Sequence, residues 1–319
     1  YGEAQLKVRP STRSSVEQAI AAYSSVLRLD SGHAEAAKRL IEIYLGRSPA
    51  ERPLAYSLGE AEFKARQFLE SHDDPTVRRL LALALAPQNS QEARRTLTEL
   101  IADHPDHIPA YEIMGLLAAE HPEDVNKPPN YWFEEAVGRN PQSALAYILR
   151  GAFFRRSGDR PNAMSDLEHA AGMDLSDKAV HLRLIAELTL IGAYDQAREQ
   201  IEALRAKDPT ETDLWRYWAA VAIQTGSKEE METVARDGLK ELATYPWDFM
   251  SWAAELFIRT EHFDEAAACI GQMQSKDVQP ARTAFLQGFL AHQKGQLQEA
   301  ATFWRNAVAL GYQSRQDVT

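Results

Sequence analysis

The chain has 319 residues, of which 45% are hydrophobic and 25% are charged, a composition typical of a folded protein rather than a disordered one. Its formal net charge of −11 argues against binding to nucleic acid or to an anionic membrane surface, because both need clustered Lys and Arg. The only cysteine, Cys269, cannot form an intrachain disulfide, and we expect it to be a buried, inert thiol.

Small residues recur along the chain at a nearly constant interval. Ala163, Ala197 and Met231 are each 34 residues apart, Ala266 follows after 35 residues, and Ala300 after another 34. The same pattern extends back to Ala93, and a similar one starts at Ala19. A fixed interval of this size indicates a repeat architecture that fills nearly the whole chain.

Each repeat predicts two amphipathic helices, because apolar residues fall at helical spacing on both sides of a short turn. Glycines are expected in the turn inside a repeat, five residues before the small residue: Gly158, Gly192, Gly226 and Gly295. Prolines end several repeats, twelve residues after the small position: Pro105, Pro141 and Pro209.

Two neighbouring repeats carry the fullest set of recurring residues. One contains Tyr147, Gly151, Phe154, Gly158, Ala163, Leu167 and Ala170, and the one before it contains Tyr111, Met114, Gly115, Phe133, Ala136 and Pro141. These residues resemble the tetratricopeptide repeat (TPR), which has aromatic and small residues on both helices and a closing Pro. The resemblance implies an all-α fold, a right-handed superhelical solenoid of about nine stacked antiparallel helix hairpins.

The domain prediction follows from the extent of this pattern. Residues 1–13 form an N-terminal segment, residues 14–312 the repeat array, and residues 313–319 a tail that we expect to be truncated. The array is irregular over residues 14–75 and 119–131. In these regions residues 46–60 are too long for a normal turn, and Glu120–Asn130 places Pro128 and Pro129 where a small residue is expected. Both stretches predict longer surface loops.

Known catalytic signatures do not occur in the sequence, which has no Gly-rich phosphate loop, no Cys-x-x-Cys pair and no Gly-x-Ser-x-Gly elbow. We therefore expect no catalytic residue, no cofactor and no metal site. The one metal alternative is the segment Asp103–His107, with two His and two Asp, although polar residues are also typical of a turn between repeats. Carboxylates such as Glu229, Glu230 and Glu232 are interpreted as a solvated face. Rings around Trp215, Trp218 and Trp252 are interpreted as core packing rather than a ligand platform.

In TPR proteins the first helices of successive repeats line the concave side and usually bind the partner. The resemblance therefore implies a partner-binding groove that contains Leu145, Ile148, Arg155, Arg156, Leu182, Leu190, Arg216, Ile223, Phe285, Phe289 and His292. Such a surface, aliphatic with Arg at one edge, suits an amphipathic helix or extended segment that carries an acidic residue. The alternative is that the aliphatic residues pack against neighbouring helices and the Arg side chains are solvated.

Some TPR proteins hold a partner's C-terminal carboxylate with Lys and Asn on the first helices. The corresponding positions here are Ile148, Ala152, Leu182 and Ala186, so we do not expect that type of clamp.

The two ends of the chain also give expectations. It starts at Tyr1 without an initiator Met, so an N-terminal signal or anchor is expected to precede it. Too few residues follow Leu310 to form a capping helix, which predicts a longer native chain or a homodimer through the last hairpin. No apolar run reaches the ~18 residues that a membrane-spanning helix needs. Arg outnumbers Lys by 25 to 10, which is compatible with a bacterial source and leaves a cytoplasmic or a periplasmic location open.

The repeats account for almost the whole sequence, and this favours a non-enzymatic scaffold that binds another protein or peptide and assists assembly of a complex. The second hypothesis is the recruitment or regulatory arm of a larger enzyme, such as a glycosyltransferase or peptidase, whose catalytic part lies outside this chain. The third is a receptor for a small molecule or metal, which needs polar groups that converge on a concave pocket.

Overall fold

The computed structural model describes residues 13–46, 56–122, 127–244 and 247–312. Within these ranges the chain forms α-helices joined by turns and contains no β-strand. The helices are α1 (Arg13–Leu29), α2 (Ala34–Tyr44), α3 (Leu58–Leu69), α4 (Pro75–Leu85), α5 (Ser90–Asp103), α6 (Ile108–Glu120), α7 (Pro129–Arg139), α8 (Ala144–Arg156), α9 (Arg160–Ala171), α10 (Lys178–Ile191), α11 (Tyr194–Arg205), α12 (Thr212–Thr225), α13 (Lys228–Glu241), α14 (Trp247–Arg259), α15 (Phe263–Ser275), α16 (Pro280–Gln293) and α17 (Leu297–Ala309).

The chain divides into two compact units, one that ends at Asp166 and one that begins at Leu167. In the first unit α1 is followed by the hairpins α2/α3, α4/α5 and α6/α7 and then by α8. Its apolar side chains form a small core around Val16 and Leu40 and a larger one that extends from Ala37 to Leu149.

The second unit contains the hairpins α10/α11, α12/α13, α14/α15 and α16/α17. The first helices of these hairpins also contact one another in order, α10 with α12, α12 with α14, and α14 with α16. Its core includes the fully buried rings of Trp215 and Phe249. With α1 and the hairpins of the first unit, the described helices agree with the prediction of an all-α array of about nine TPR-like units.

The turns that follow α8, α10, α12, α14 and α16 each contain a residue with left-handed backbone at the predicted position. Gly158, Gly192, Gly226 and Gly295 have φ between 72° and 79°, a conformation that glycine adopts without a Cβ penalty. Glu261 holds the same position in the α14/α15 turn at φ 66°. The turn geometry is therefore common to these repeats even where the sequence lacks glycine.

Prolines between hairpins provide a carbonyl to the first helix that follows. Tyr111 Oη donates a hydrogen bond to Pro105 O at 3.0 Å, and Trp215 Nε1 donates to Pro209 O at 2.7 Å. The aromatic residue near the start of these first helices therefore fills the core and also satisfies a backbone acceptor of the preceding turn.

The predicted small positions lie in the first turn of the second helices and are buried. Ala93, Ala163, Ala197 and Ala266 are fully buried, and each is the fourth residue of a second helix. Helix α7 differs from the other second helices. It begins at Pro129, the position of the small residue itself, and so lacks the three helical residues that precede this position elsewhere. Most of the predicted loop at 46–60, and residues 123–126 of the other, lie outside the described residues.

The predicted terminal segments also fall largely outside the described residues, which begin at residue 13 and end at residue 312. Among the described helices, none combines the length and the apolar character needed to cross a bilayer.

Candidate partner-binding groove

The first helices of the second unit place corresponding residues of successive repeats side by side. The repeat spacing of 34 or 35 residues aligns Leu182 with Arg216 and Phe285. Because α10, α12, α14 and α16 contact one another in that order, residues at such positions form rows across four helices. The predicted groove residues of this unit lie on these rows, except Leu190, which is one residue beyond the position equivalent to Ile223.

Helices α10 and α12 provide the aliphatic part of the groove. Leu182, Ala186 and Leu190 of α10 and Ala220 and Ile223 of α12 are all partly exposed. They are neither fully packed in the core nor free on an open surface. A partner that covered them would remove additional apolar area from water.

Arg216 of α12 lies beside these aliphatic residues and is exposed. Its Nη1 donates to Asp213 Oδ1 at 2.6 Å, and the side chain keeps 45% of its surface accessible. An exposed ion pair of this kind contributes little to stability. The guanidinium therefore has free surface with which to bind an acidic group on a partner.

Helix α14 has a different character, because its residues from Phe249 to Ile258 are buried. At the groove positions it carries Ser251, Glu255 and Ile258. Arg259 and Arg282 both donate hydrogen bonds to the Glu255 carboxylate, which is only 7% exposed. Two guanidinium groups thus face one buried carboxylate, an arrangement that compensates the cost of burying its charge.

Aromatic side chains from α16 and from the turn after α17 complete this part of the groove. Tyr312 stacks on Phe285 with ring centroids 4.4 Å apart, and its hydroxyl accepts a hydrogen bond from Arg282. The Arg259 guanidinium lies 5.6 Å from the ring centroid of Phe289. We refer to Glu255, Arg259, Arg282, Phe285, Phe289 and Tyr312 as the Glu255 cluster.

The remaining predicted groove residues have varied surroundings. His292 is exposed at the end of α16, with its ring 5.6 Å from that of Trp304. In the first unit Leu145 and Arg155 of α8 are partly exposed and Arg156 is exposed. Ile148 is 0% exposed, so it packs in the core of that unit and has no surface to offer a partner.

The sequence suggested that Glu230 belongs to a solvated face, but its carboxylate is held by several hydrogen bonds. It accepts two hydrogen bonds from Arg198 at 2.8 Å and one from Trp218 Nε1 at 2.9 Å. Burial acts to raise the pKa of Glu230, but these hydrogen bonds outweigh it and lower the pKa. The residue therefore joins α11 to the α12/α13 hairpin.

Other candidate sites from the sequence have structural roles. Trp215, Trp218 and Trp252 are buried, in agreement with core packing, and burial raises the pKa of the Cys269 thiol to about 11. In the Asp103–His107 segment Asp103 binds Arg78 at 2.7 Å. Among the described residues, no group of three or more His, Cys, Asp or Glu side chains is arranged to hold a metal ion.

Comparison with solved structures gives the fold. The structure of yeast Tom70 aligns with this chain at 15% sequence identity and a TM-score of 0.55. The alignment covers 99% of this chain and 65% of the Tom70 chain. This chain has the tetratricopeptide repeat fold. The TPR assignment agrees with the repeat period, the left-handed turn residues and the small buried residues of the second helices.

Two further solved structures are similar to this TPR chain, one over nearly its whole length and one over part of it. The Cut9–Hcn1 hetero-tetramer of the APC/C matches 99% of this chain at 15% identity and a TM-score of 0.48. PilW, a type IV pilus biogenesis factor, matches 64% of it at 14% identity and a TM-score of 0.46. The matched part spans 61% of the Cut9–Hcn1 chain and 94% of PilW. No protein-family model and no curated protein matches the sequence.

Sequence reasoning missed most of the Glu255 cluster, although part of the signal was present. Adding 35 residues to Ala220 gives Glu255, so the period alone places a carboxylate in the groove. Its two Arg partners could not be assigned without the packing of α14 against α16. Tyr312 follows the last helix, and no repeat position predicts its stacking on Phe285.

Proposed function

We propose that this TPR array is a non-enzymatic scaffold that binds a segment of another protein along the first helices of its second unit and assists assembly of a complex. The observation that carries the proposal is the row of partly exposed aliphatic residues on α10 and α12 beside the exposed Arg216. Apolar area with an adjacent cation fits a segment that combines aliphatic and acidic side chains.

The Glu255 cluster favours one orientation of that segment. Its guanidinium groups and the rings of Phe285 and Phe289 lie on α14 and α16, whereas the aliphatic residues lie on α10 and α12. Arg259 keeps 38% of its side-chain surface accessible, so it can bind a second acidic group while Glu255 holds it in place. We therefore expect the apolar side chains of the partner to cover α10 and α12, and its acidic residues to bind Arg216 and Arg259.

Affinity capture with matched variants tests this function. The bait proteins are the wild type, the double variant Arg216→Glu/Arg259→Glu, and a control, Lys276→Glu/Arg305→Glu, that makes the same charge change at exposed positions on α17 and after α15. Captured proteins are identified by mass spectrometry and their binding is then measured with purified material. A partner that is retained by the wild type and the control, and lost by the groove variant, supports the proposal.

Two results would count against it. Equal binding by all three baits moves the partner site away from the groove. Turnover of a substrate by the purified chain contradicts the non-enzymatic role.

A further inference from the structure

A second surface, separate from the groove, carries features of a binding site. A cavity of about 250 Å³ lies between α1, α2 and α3 in the first unit. Helix α2 contributes Ala37 and Leu40, α3 contributes Phe68, and α1 contributes Leu27. Ala37, Leu40 and Phe68 are themselves buried. The cavity is therefore lined by residues of the hydrophobic core and not by a surface loop.

The size of the cavity limits what can enter it. Drug-sized ligands and cofactors occupy pockets of roughly 300–1,000 Å³, and this cavity is smaller. A single large apolar side chain fits it better than a whole small molecule does. The polar residues Ser24, Ser31 and Gln67 also line it, and they can hydrogen-bond to the backbone on either side of such a side chain.

Among the described residues that line the cavity, the charged ones are all positive. These are Arg28 and Lys64, and no described lining residue is acidic. Arg28 donates to Ser25 Oγ at 2.7 Å, and Lys64 to Gln67 Oε1 at 3.4 Å. Within the described part of the chain, neither cation has a carboxylate partner. In a chain with 46 acidic and 35 basic residues, two unneutralised cations beside one apolar cavity select for an anionic occupant.

We propose that the cavity between α1, α2 and α3 is a second protein-binding site, which accepts a bulky apolar side chain of a partner segment flanked by Asp or Glu. The apolar side chain buries itself against Leu40 and Phe68, and the flanking carboxylates bind Arg28 and Lys64. This site is independent of the groove on the second unit.

The test uses the whole chain and a set of short labelled peptides. Each fluorescein-labelled heptapeptide has a central Phe, Leu, Met or Trp with two Asp on either side, and a matched set has Lys in place of Asp. Dissociation constants are measured by fluorescence anisotropy for the wild type and for three variants. Arg28→Glu/Lys64→Glu reverses the rim charge, Ser24→Phe fills the cavity, and Arg216→Glu/Arg259→Glu alters only the groove.

We expect at least one Asp peptide to bind the wild type, with a Kd at least tenfold lower than that of its Lys counterpart. The Kd should rise at least tenfold in Arg28→Glu/Lys64→Glu and in Ser24→Phe, and stay within twofold in the groove variant. Circular dichroism at each Kd measurement reports whether the variants are folded. Failure of all Asp peptides to saturate, equal Kd values for Asp and Lys peptides, or an unchanged Kd in Ser24→Phe would each overturn the proposal.

Discussion

Gly115 of α6 lies directly against the ring of Phe133 in α7, so closely that a Cβ atom at Gly115 would be 2.4 Å from Phe133 Cε2. Phe133 is 1% exposed and has no room to withdraw. The absence of a side chain at Gly115 thus permits the ring of Phe133 to enter the core. The same relationship joins Gly288 to Trp304 in the last hairpin.

Gly115→Ala should therefore destabilise the chain, by roughly 1–3 kcal/mol, because the added methyl group overpacks the crossing of α6 and α7. Gly138→Ala is the matched control. Gly138 lies in α7 with nothing within 4 Å of an added Cβ, so alanine there should stabilise by about 0.5–1 kcal/mol. Urea unfolding followed by circular dichroism measures both. A Gly115→Ala protein as stable as the wild type would contradict this packing.

Ala163, the small residue near the start of α9, is fully buried. Ala163→Leu should destabilise by roughly 1–3 kcal/mol, because the larger side chain cannot fit in the helix crossing. Ser165→Leu places the same side chain on an exposed position of the same helix and should change stability by no more than about 0.5 kcal/mol. If both variants unfold at the same urea concentration, the repeat register derived from Ala163 is wrong.

Glu261 occupies a turn position that is glycine in four other hairpins, at φ 66°. Glu261→Gly should raise the urea midpoint, because glycine adopts this conformation without the steric cost that a Cβ imposes. The ion pair with Lys228 that it removes is exposed and offsets little of the gain. The reverse change, Gly226→Ala at φ 72°, should cost about 1 kcal/mol. A lower midpoint for Glu261→Gly would refute the argument.

Acid should weaken the first unit through His107. Burial, followed by the charge of Arg79, lowers the pKa of His107 to about 4, and the unfolded chain has a His pKa near 6.5. Between these values the unfolded state binds more protons, so stability falls as the pH is lowered from about 6.5 towards 4. His107→Leu should reduce this loss, because leucine cannot titrate and leaves no unpaired buried nitrogen. Unfolding free energies at pH 7 and pH 4.5 measure the effect. An unchanged pH dependence in the variant would exclude His107 as its source.

The sequence predicted the fold well because the fold depends on local, repeated features. The turn glycines and the small residues such as Ala163 are features of a single hairpin, and the sequence repeats them at a nearly constant period. The groove was harder to predict, because exposure depends on how neighbouring helices pack. Ile148 and Leu182 hold equivalent positions, 34 residues apart, yet the first is fully buried and the second is partly exposed.

The last helix, α17, has apolar side chains on its exposed surface. Val308 and Leu297 of α17 are 70% and 63% exposed, apolar positions that the second unit does not cover. The homodimer through this hairpin stays a prediction. Sedimentation of the wild type beside Leu297→Asp/Val308→Asp measures it. The variant should sediment as a smaller species than the wild type, and two identical profiles would contradict the dimer.

The most direct test of the proposed scaffold is the position at which a captured partner contacts the array. A photoreactive phenylalanine analogue is introduced at Ala220 in the groove, or at the exposed Glu202 on the second helix α11. Both proteins are irradiated with the partner bound. We predict cross-linking from position 220 and none from position 202. Cross-linking from position 202 alone would place the partner on the second helices and contradict binding in the groove.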